Sequence, residues 1–188
     1  MRKFLIAFSI FFLFGCIPYS DNPITDPNKE DIDLSIVGTW FWNEGNESGY
    51  IHIGLDEKSK LLRLLMVEFN KDGNIKVSEF TGHTSLLEEN KYLNLKWVRP
   101  EQDDGGGYMF VKYTVSQRSF GIAFMDNDVV GQAINDGLLN GVVKKEKWSS
   151  SVRITEEQQK LQKFILKKDK ELFREMKYFP KLILPDIK

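Results

Sequence analysis

The sequence predicts a mainly β protein, an antiparallel barrel or strongly curved sheet with one short helix and one C-terminal helix. Short apolar or alternating runs, separated by polar turns, repeat from position 36 to about position 124. Many short strands at even spacing are typical of antiparallel sandwiches and barrels. Apolar residues recur at helical spacing near two segments, 128–135 and 155–173. The strands are therefore expected to form the body of the fold, with the helices added to it.

The strands are predicted from runs that end at polar or glycine-containing turns. Asp72-Gly73 is the strongest turn signal, because Asp-Gly favours the tight turn of a hairpin. In the run 92–98, apolar and polar residues alternate, so that every second side chain shares one face of a strand. The predicted strands are 36–42, 50–55, 61–69, 75–81, 84–87, 92–98, 108–116, 120–124, 138–144 and a last strand at 181–184.

A short helix is predicted over 128–135. Asp126, Asn127 and Asp128 offer side-chain oxygens that can accept from the first free N–H groups of a helix. Apolar residues at positions 129, 130, 133 and 134 then share one helix face, and Gly137 is a typical helix stop. The serines at 149–151 are predicted to break the strand that follows.

A longer helix is predicted over 155–173. Thr155 and Gln158 have the spacing of a capping box, and Glu156 and Glu157 place negative charge at the positive end of the helix. Apolar residues at 161, 164, 165 and 172 form a stripe. We expect this stripe to pack against the sheet; a helix lying in a membrane surface is the alternative.

The chain begins with the pattern of an export signal. Arg2 and Lys3 precede an apolar run over 4–14, which is shorter than the roughly 20 residues of a membrane-spanning helix. The segment Leu13-Phe14-Gly15-Cys16 resembles the lipobox of bacterial lipoproteins. This resemblance implies cleavage between Gly15 and Cys16 and a diacylglyceryl group on the Cys16 thiol.

Cys16 is the only cysteine of the chain, so an ordinary secretory signal, the alternative, leaves an unpaired thiol unexplained. The lipobox predicts a lipid-anchored cell-envelope protein, held in the outer membrane if the organism is Gram-negative. Residues 16–34 contain prolines among polar residues and are predicted to be a flexible tether. Residues 35–188 are predicted to form a single domain.

Charge is unevenly distributed along the mature chain. Residues 17–143 carry 11 basic and 20 acidic side chains, whereas residues 144–188 carry 13 basic and 7 acidic ones. We expect two oppositely charged surfaces of one domain; contact of the basic part with anionic lipid is the alternative. No basic stripe is interleaved with aromatic residues, so nucleic acid is not a predicted partner.

The first predicted strand contains Gly38-Thr39-Trp40, which resembles the G-x-W signature of lipocalins. This resemblance implies an eight-stranded barrel with the tryptophan packed across its closed end, although the second lipocalin signature, around Thr-Asp-Tyr, is absent. Residues 128–141 and the capped helix at 155 resemble a group of small uncharacterised bacterial envelope proteins, in which a strand-rich body ends in a helix and a final strand. The second resemblance implies an architecture and no activity.

No catalytic or metal-binding constellation is predicted. His52 and His83 lack the spacing of a zinc motif, and the chain contains no serine-nucleophile elbow and no phosphate loop. We therefore predict neither an enzyme nor a cofactor or metal.

The function predicted is a non-catalytic binding module for a small apolar ligand inside the barrel. The candidate ligand-binding residues are rings in strand-like runs, namely Trp40, Trp42, Trp97, Tyr113 and Phe124; the other interpretation is that these rings fill the core. The alternative function is a structural or assembly protein that binds other envelope proteins. Ligand binding requires a pocket of about 300 Å³ or more. Assembly predicts a filled barrel and an exposed apolar patch or open sheet edge.

Overall fold

The structure of the protein is a computed structural model that describes residues 17–29, 31–45, 47–98, 106–145 and 150–183. The segment predicted to be an export signal, with Gly15 and Cys16, lies outside the described residues. A short 3-10 turn, Leu34–Ile36, precedes the second strand. In the described part of the chain the strands are β1 Tyr19–Ser20, β2 Gly38–Glu44, β3 Glu47–Asp56, β4 Leu61–Phe69, β5 Ile75–Leu87, β6 Asn90–Trp97, β7 Met109–Val115, β8 Ser119–Phe124, β9 Gly141–Lys145, β10 Ser150–Ile154 and β11 Lys177–Pro180, and the helices are α1 Asn127–Asn135 and α2 Gln158–Leu172.

Eight of the described strands form one antiparallel sheet that curls into a nearly closed barrel. Their order is β11-β8-β7-β6-β5-β4-β3-β2. The two outer strands meet where Trp40 pairs with Lys181, and the N–H of Leu182 donates to the carbonyl of Thr39 at 2.8 Å. The predicted mainly β, barrel-like fold with two helices is confirmed. We call the end where β2, β4 and β6 finish the upper end, and the opposite end the lower end.

Two predicted strands are in fact one. The runs 75–81 and 84–87 belong to the continuous strand β5, which pairs with β4 on one side and β6 on the other. Gly82 lies so close to β6 that a Cβ at this position would stand 2.1 Å from the carbonyl oxygen of Asn94. A glycine in a strand often marks such a close backbone approach rather than an interruption.

The last two strands also differ from the prediction. β10 begins within the predicted break at 149–151, because Val152 and Ile154 are buried in the core and hold this segment against the barrel. β11 precedes the predicted run 181–184 by four positions. Phe179 explains this register, since it is 5% exposed and packs inside the barrel against Trp42, with ring centroids 5.8 Å apart.

The short helix is confirmed, with its N-cap at Asp126. The Asp126 carboxylate accepts from the N–H groups of Asp128 at 2.9 Å and Val129 at 3.1 Å. The capping box predicted for the long helix is wrong. α2 begins three residues later than predicted, and its N-cap, Glu157, makes no side-chain cap hydrogen bond.

A long-range contact explains the later start of α2. The Nε2 group of Gln158 donates to the carbonyl of Pro23 at 3.1 Å, so this amide fixes the N-terminal segment instead of completing a local cap. The buried Glu156 carboxylate accepts from the N–H of Asn140 at 3.0 Å and from its side-chain amide at 3.1 Å. Burial by itself raises the pKa of Glu156, but the N–H donors of Asn140 and Glu157 outweigh it and hold the pKa below its ordinary value.

Alternate strand residues face the two sides of the barrel wall, and the buried apolar residues form two clusters in the described chain. The interior cluster fills the barrel and includes the fully buried Trp40, Ile53 and Leu62. The outer cluster lies between the outer face of β6, β7 and β8 and a layer made of α1, α2 and the small sheet β1-β10-β9. The opposite outer face, on β2 to β4 and the start of β5, carries no such layer among the described residues.

The segment predicted to be a flexible tether, 16–34, is instead docked on the barrel in its described residues. β1 pairs with β10, and Ser20 bridges Tyr108 beside the start of β7. Ile24 is 0% exposed, and its N–H donates to Oδ1 of Asn94 at 2.7 Å. The composition of the segment predicted disorder because it has few apolar residues. Hydrogen bonds to buried polar groups of the barrel hold it instead, and local composition does not reveal them.

Candidate functional site

Side chains of the described residues fill most of the barrel interior. The described residues leave an apolar cavity of about 40 Å³ in its middle and upper part. A volume of about 10–15 Å³ holds one water molecule and ligand pockets start near about 300 Å³, so this cavity is far smaller than a ligand site. Its lining side chains are Ile51, Leu64, Met66, Phe80, Leu93, Leu95, Met109, Val111, Phe120, Ile122 and Phe124.

The five rings predicted to bind a ligand are not brought together around this cavity. Phe124 lines it, whereas Trp40 and Tyr113 are buried towards the lower end. Trp42 packs on Phe179 near the junction of β2 and β11. Trp97 packs at a tilt on Phe80, with ring centroids 4.2 Å apart, and its Nε1 group donates to the Tyr19 hydroxyl at 3.3 Å, at the upper end. These contacts give four of the five rings packing roles.

The lower end of the barrel is covered by the segment that precedes β2. The Asp33 carboxylate accepts from Nζ of Lys91 at 2.8 Å, from the Tyr113 hydroxyl at 3.0 Å and from the N–H of Ser35 at 3.0 Å. Its own N–H donates to the Thr84 hydroxyl at 2.9 Å. Burial by itself raises the pKa of Asp33, but Lys91, Ser35 and Tyr113 outweigh it and lower the pKa to about 2. Asp33 thus contacts three neighbouring barrel strands, β5, β6 and β7, at the lower end.

We expect Asp33→Asn to lower the free energy of unfolding at pH 7 by about 2 kcal/mol. The folded pKa of about 2 lies below the ordinary value of 3.8. The carboxylate therefore stabilises the folded protein above about pH 4, and this contribution is lost as the pH falls to about 2. Urea unfolding at several pH values measures the effect, with Asp72→Asn in an exposed turn as the control. If the free energy of unfolding fell equally for the wild type and Asp33→Asn between about pH 4 and about pH 2, the low pKa of Asp33 would be contradicted.

Glu68 is a charged residue that points into the barrel near its upper end. Every second residue of β4 faces the interior, and Glu68 follows Leu64 and Met66 in this alternation. The alternation is visible in the sequence and could have identified Glu68 as an inward-facing carboxyl group. Its Oε2 atom is buried with no hydrogen-bond partner among the described residues, and Nζ of Lys76 lies 3.8 Å away. Burial raises the pKa of Glu68 above its ordinary value, Lys76 opposes the shift, and Glu47 adds to it.

The two histidines hold strands and the N-terminal segment in place. Nδ1 of the exposed His52 lies 2.9 Å from the Thr39 hydroxyl on the neighbouring strand. His83 is 2% exposed, and its Nε2 group donates to the carbonyl of Thr25 at 2.9 Å. The described residues contain no group of three or more His, Cys, Asp or Glu side chains placed to hold a metal ion.

The uncovered outer face of the barrel carries an apolar patch, which we call the apolar strip. Strand pairing places Phe41, Tyr50, Val67 and Val77 in one row across β2 to β5. Phe69 and Ile75 form the next row towards the upper end, and Leu65 lies on the lower side. Phe41 and Leu65 are each 37% exposed, Val77 is 59% exposed and Ile75 is 61% exposed. Contiguous exposed apolar side chains on a barrel wall indicate a contact surface.

A second surface feature is the outer edge of the small sheet. β9 lies at one side of the order β1-β10-β9, so one edge of this strand has no partner strand in the described chain. The N–H of Thr155 donates to the carbonyl of Asn140 at 3.0 Å, and this bond continues the β9–β10 ladder. Because antiparallel bonds alternate, the backbone groups of Gly141, Val143 and Lys145 are directed away from β10.

Neither the barrel nor its surface features identify a relative. No family model, curated protein or solved structure matches this chain. Within the described ranges, neither helix combines the length and apolar character that crossing a bilayer requires.

Proposed function

We propose that this protein is a lipid-anchored, non-catalytic cell-envelope protein that binds another envelope protein through its outer surface. The lipobox ending in Cys16 supports the anchor and the location, in the outer membrane if the organism is Gram-negative. The observation that carries the proposal is the filled barrel, whose cavity measures about 40 Å³. A barrel with so little free interior volume among its described residues offers its wall and edges for recognition. The structural contacts of His52 and His83 support a role without catalysis.

The binding site in this proposal is the free edge of β9. An extended peptide that adds to a sheet edge forms main-chain hydrogen bonds, and its side chains provide selectivity. Lys144 and Lys145 are exposed at the end of the strand. Lysines on an edge strand discourage indiscriminate pairing, so they favour a partner segment that carries acidic residues.

A small apolar ligand inside the barrel is the second candidate function. The wholly apolar lining of the described cavity and the position of Trp40 at the lower end, as in lipocalins, favour it. The cavity admits only a slender group, such as the end of an alkyl chain. Met66 and Met109 line it, and the flexible thioether side chain lets methionine adapt to a larger occupant.

Mass spectrometry of the protein purified from its native envelope distinguishes the two functions. We expect an envelope protein to co-purify with the wild type and to be reduced about tenfold with Val143→Pro, which removes an outward N–H while keeping the bonds to β10. Val142→Ala is the matched control, because Val142 is 47% exposed on the same strand and its backbone faces β10. Thermal unfolding of both variants shows whether the sheet is intact.

The same experiment can reject the proposal. Equal recovery of the partner with Val143→Pro and Val142→Ala would exclude the β9 edge as the site. A lipid or other small molecule present at one copy per chain, with no co-purifying protein, would favour the barrel cavity as the site of function.

A further inference from the structure

We propose that the apolar strip on the outer wall of the barrel lies against the lipid bilayer to which the chain is anchored. This inference rests on the lipid anchor of the proposed function and is independent of the protein partner at β9. It assigns the membrane-facing side of the domain.

The strip has the chemistry of a membrane-contact surface. Ile75 and Val77 are 61% and 59% exposed on successive outward positions of β5. Tyr50 and Phe69 lie beside them with ring centroids 6.4 Å apart. Val67, in the middle of the strip, is only 6% exposed because these neighbours surround it. Aliphatic and aromatic side chains without polar partners gain stability at the boundary between head groups and acyl chains, where tyrosine is also favoured.

The strip and the start of the described chain share the upper end of the barrel. Ile17 and Tyr19 pack against the interior cluster, and the Tyr19 hydroxyl accepts from Trp97 at the end of β6. Phe69 and Ile75 flank the turn between β4 and β5 at that same end. Cys16 directly precedes Ile17 in the sequence, and consecutive Cα atoms are about 3.8 Å apart. A lipid on Cys16 is therefore attached at the end where the strip lies.

The docked N-terminal segment leaves little slack between the lipid and the barrel. A free tether of the eighteen residues 17–34 would reach roughly 60 Å at about 3.3 Å per residue. In the structure the described residues of this segment are bound to the barrel and the outer layer, as the hydrogen bonds of Ile24 and Gln158 show. The upper end is thereby held at the bilayer, and the strip reaches this end with the exposed side chain of Ile75.

The charges around the strip do not favour a charged protein partner over the bilayer. The turn between β4 and β5 carries Lys71 and Asp72, one side chain of each sign, and Arg63 at the lower side of the strip pairs with Glu79. A bilayer satisfies the apolar side chains without requiring a complementary charge pattern. The layer of α1, α2 and the small sheet lies on the opposite side of the barrel and faces away from the membrane in this arrangement.

The test places a fluorescent label on each side of the barrel. Val77→Cys puts a thiol in the strip, and Val142→Cys puts one on β9, on the opposite side; the lipid occupies the native thiol. The full-length lipidated proteins are labelled with a nitrobenzoxadiazole dye and reconstituted in vesicles of phosphatidylethanolamine and phosphatidylglycerol, with and without nitroxide-bearing lipid. We expect nitroxide to reduce the emission at position 77 about twofold and to leave position 142 nearly unchanged. Adding Leu65→Glu to the Val77→Cys protein should weaken the quenching.

Vesicle flotation separates this inference from the anchor. Protein that does not float with the vesicles lacks the lipid anchor, and this outcome overturns both the proposed anchoring and the strip contact. If the protein floats but the label is quenched equally at positions 77 and 142, the lipid anchor is supported and the contact between the strip and the bilayer is overturned. Unquenched label at position 77, together with disulfide-linked dimers of unlabelled Val77→Cys protein, would assign the strip to a second copy of the chain.

Discussion

Trp40→Ala is expected to lower the free energy of unfolding by about 4 kcal/mol. Trp40 is 0% exposed, and its ring packs on Phe120 with centroids 5.3 Å apart. Its Nε1 group donates to the carbonyl of Ile36 at 2.9 Å, which fixes the 3-10 turn at the lower end. Removing the indole leaves a cavity beside a barrel that is otherwise filled and deprives a buried carbonyl of its donor. Urea unfolding of the purified variant measures the loss.

Phe41→Ala is the matched control for this experiment. Phe41 follows Trp40 on the same strand but faces outwards and is 37% exposed. We expect it to cost about 2 kcal/mol or less, because Phe41 is only partly buried on the outer wall and its removal leaves no enclosed cavity. Trp40→Phe should lie between the two, since it keeps a ring and loses the hydrogen bond. Equal losses for Trp40→Ala and Phe41→Ala would contradict the buried packing of Trp40 at the lower end.

Asp169→Ala is expected to lower the free energy of unfolding by about 3 kcal/mol. The Asp169 carboxylate of α2 pairs with Nζ of Lys112 on β7 and accepts from the Tyr92 hydroxyl of β6 at 2.7 Å. The side chains of Lys112 and Asp169 are 18% and 14% exposed, so solvent screens the pair only weakly. Burial of the phenol, with Asp169 beside it, raises the pKa of Tyr92. The variant leaves a largely buried ammonium group and a hydroxyl without their partner, which is the costly outcome for a buried pair.

An exposed ion pair on the same helix provides the comparison. Glu171 accepts from Nζ of Lys168 at 2.9 Å, and its side chain is 57% exposed. Glu171→Ala should change stability by less than about 0.5 kcal/mol, because exposed pairs contribute little. Chemical denaturation followed by circular dichroism compares the variants at one pH and salt concentration. A loss below about 1 kcal/mol for Asp169→Ala would contradict a stabilising role of the contact between Asp169, Lys112 and Tyr92.

Much of the barrel was predictable because its hairpins are encoded locally. Asp72-Gly73 and the strands on either side of it satisfy turn chemistry and two-residue alternation within about fifteen residues of chain. The cap of α1 is equally local, since Asp126 bonds N–H groups two and three residues away. The clearest local mistake, the division of β5, came from a glycine whose reason lies on the neighbouring strand, at Asn94.

The candidate site was less predictable, because it depends on what meets in space. The sequence identified five rings as candidates for a cavity, and the structure gives four of them other neighbours. The apolar strip combines residues from β2 to β5, and no single strand shows more than three of them. In the sequence its seven residues are ordinary outward-facing positions on four separate strands. Only the register between the strands makes them one surface.

The sequence by itself determined the strand-rich character of this chain, its hairpins, its short capped helix and the lipobox-like start, since each of these depends on neighbours within a few residues. The tertiary structure decided that residues 17–29 and 31–34 dock on the barrel, that α2 starts at Gln158 and that described side chains fill most of the barrel interior. These outcomes depend on contacts such as Ile24 to Asn94 and Gln158 to Pro23, between residues 70 and 135 positions apart. Side-chain packing and buried hydrogen bonds over such separations form only when the whole chain folds, and no local pattern records them.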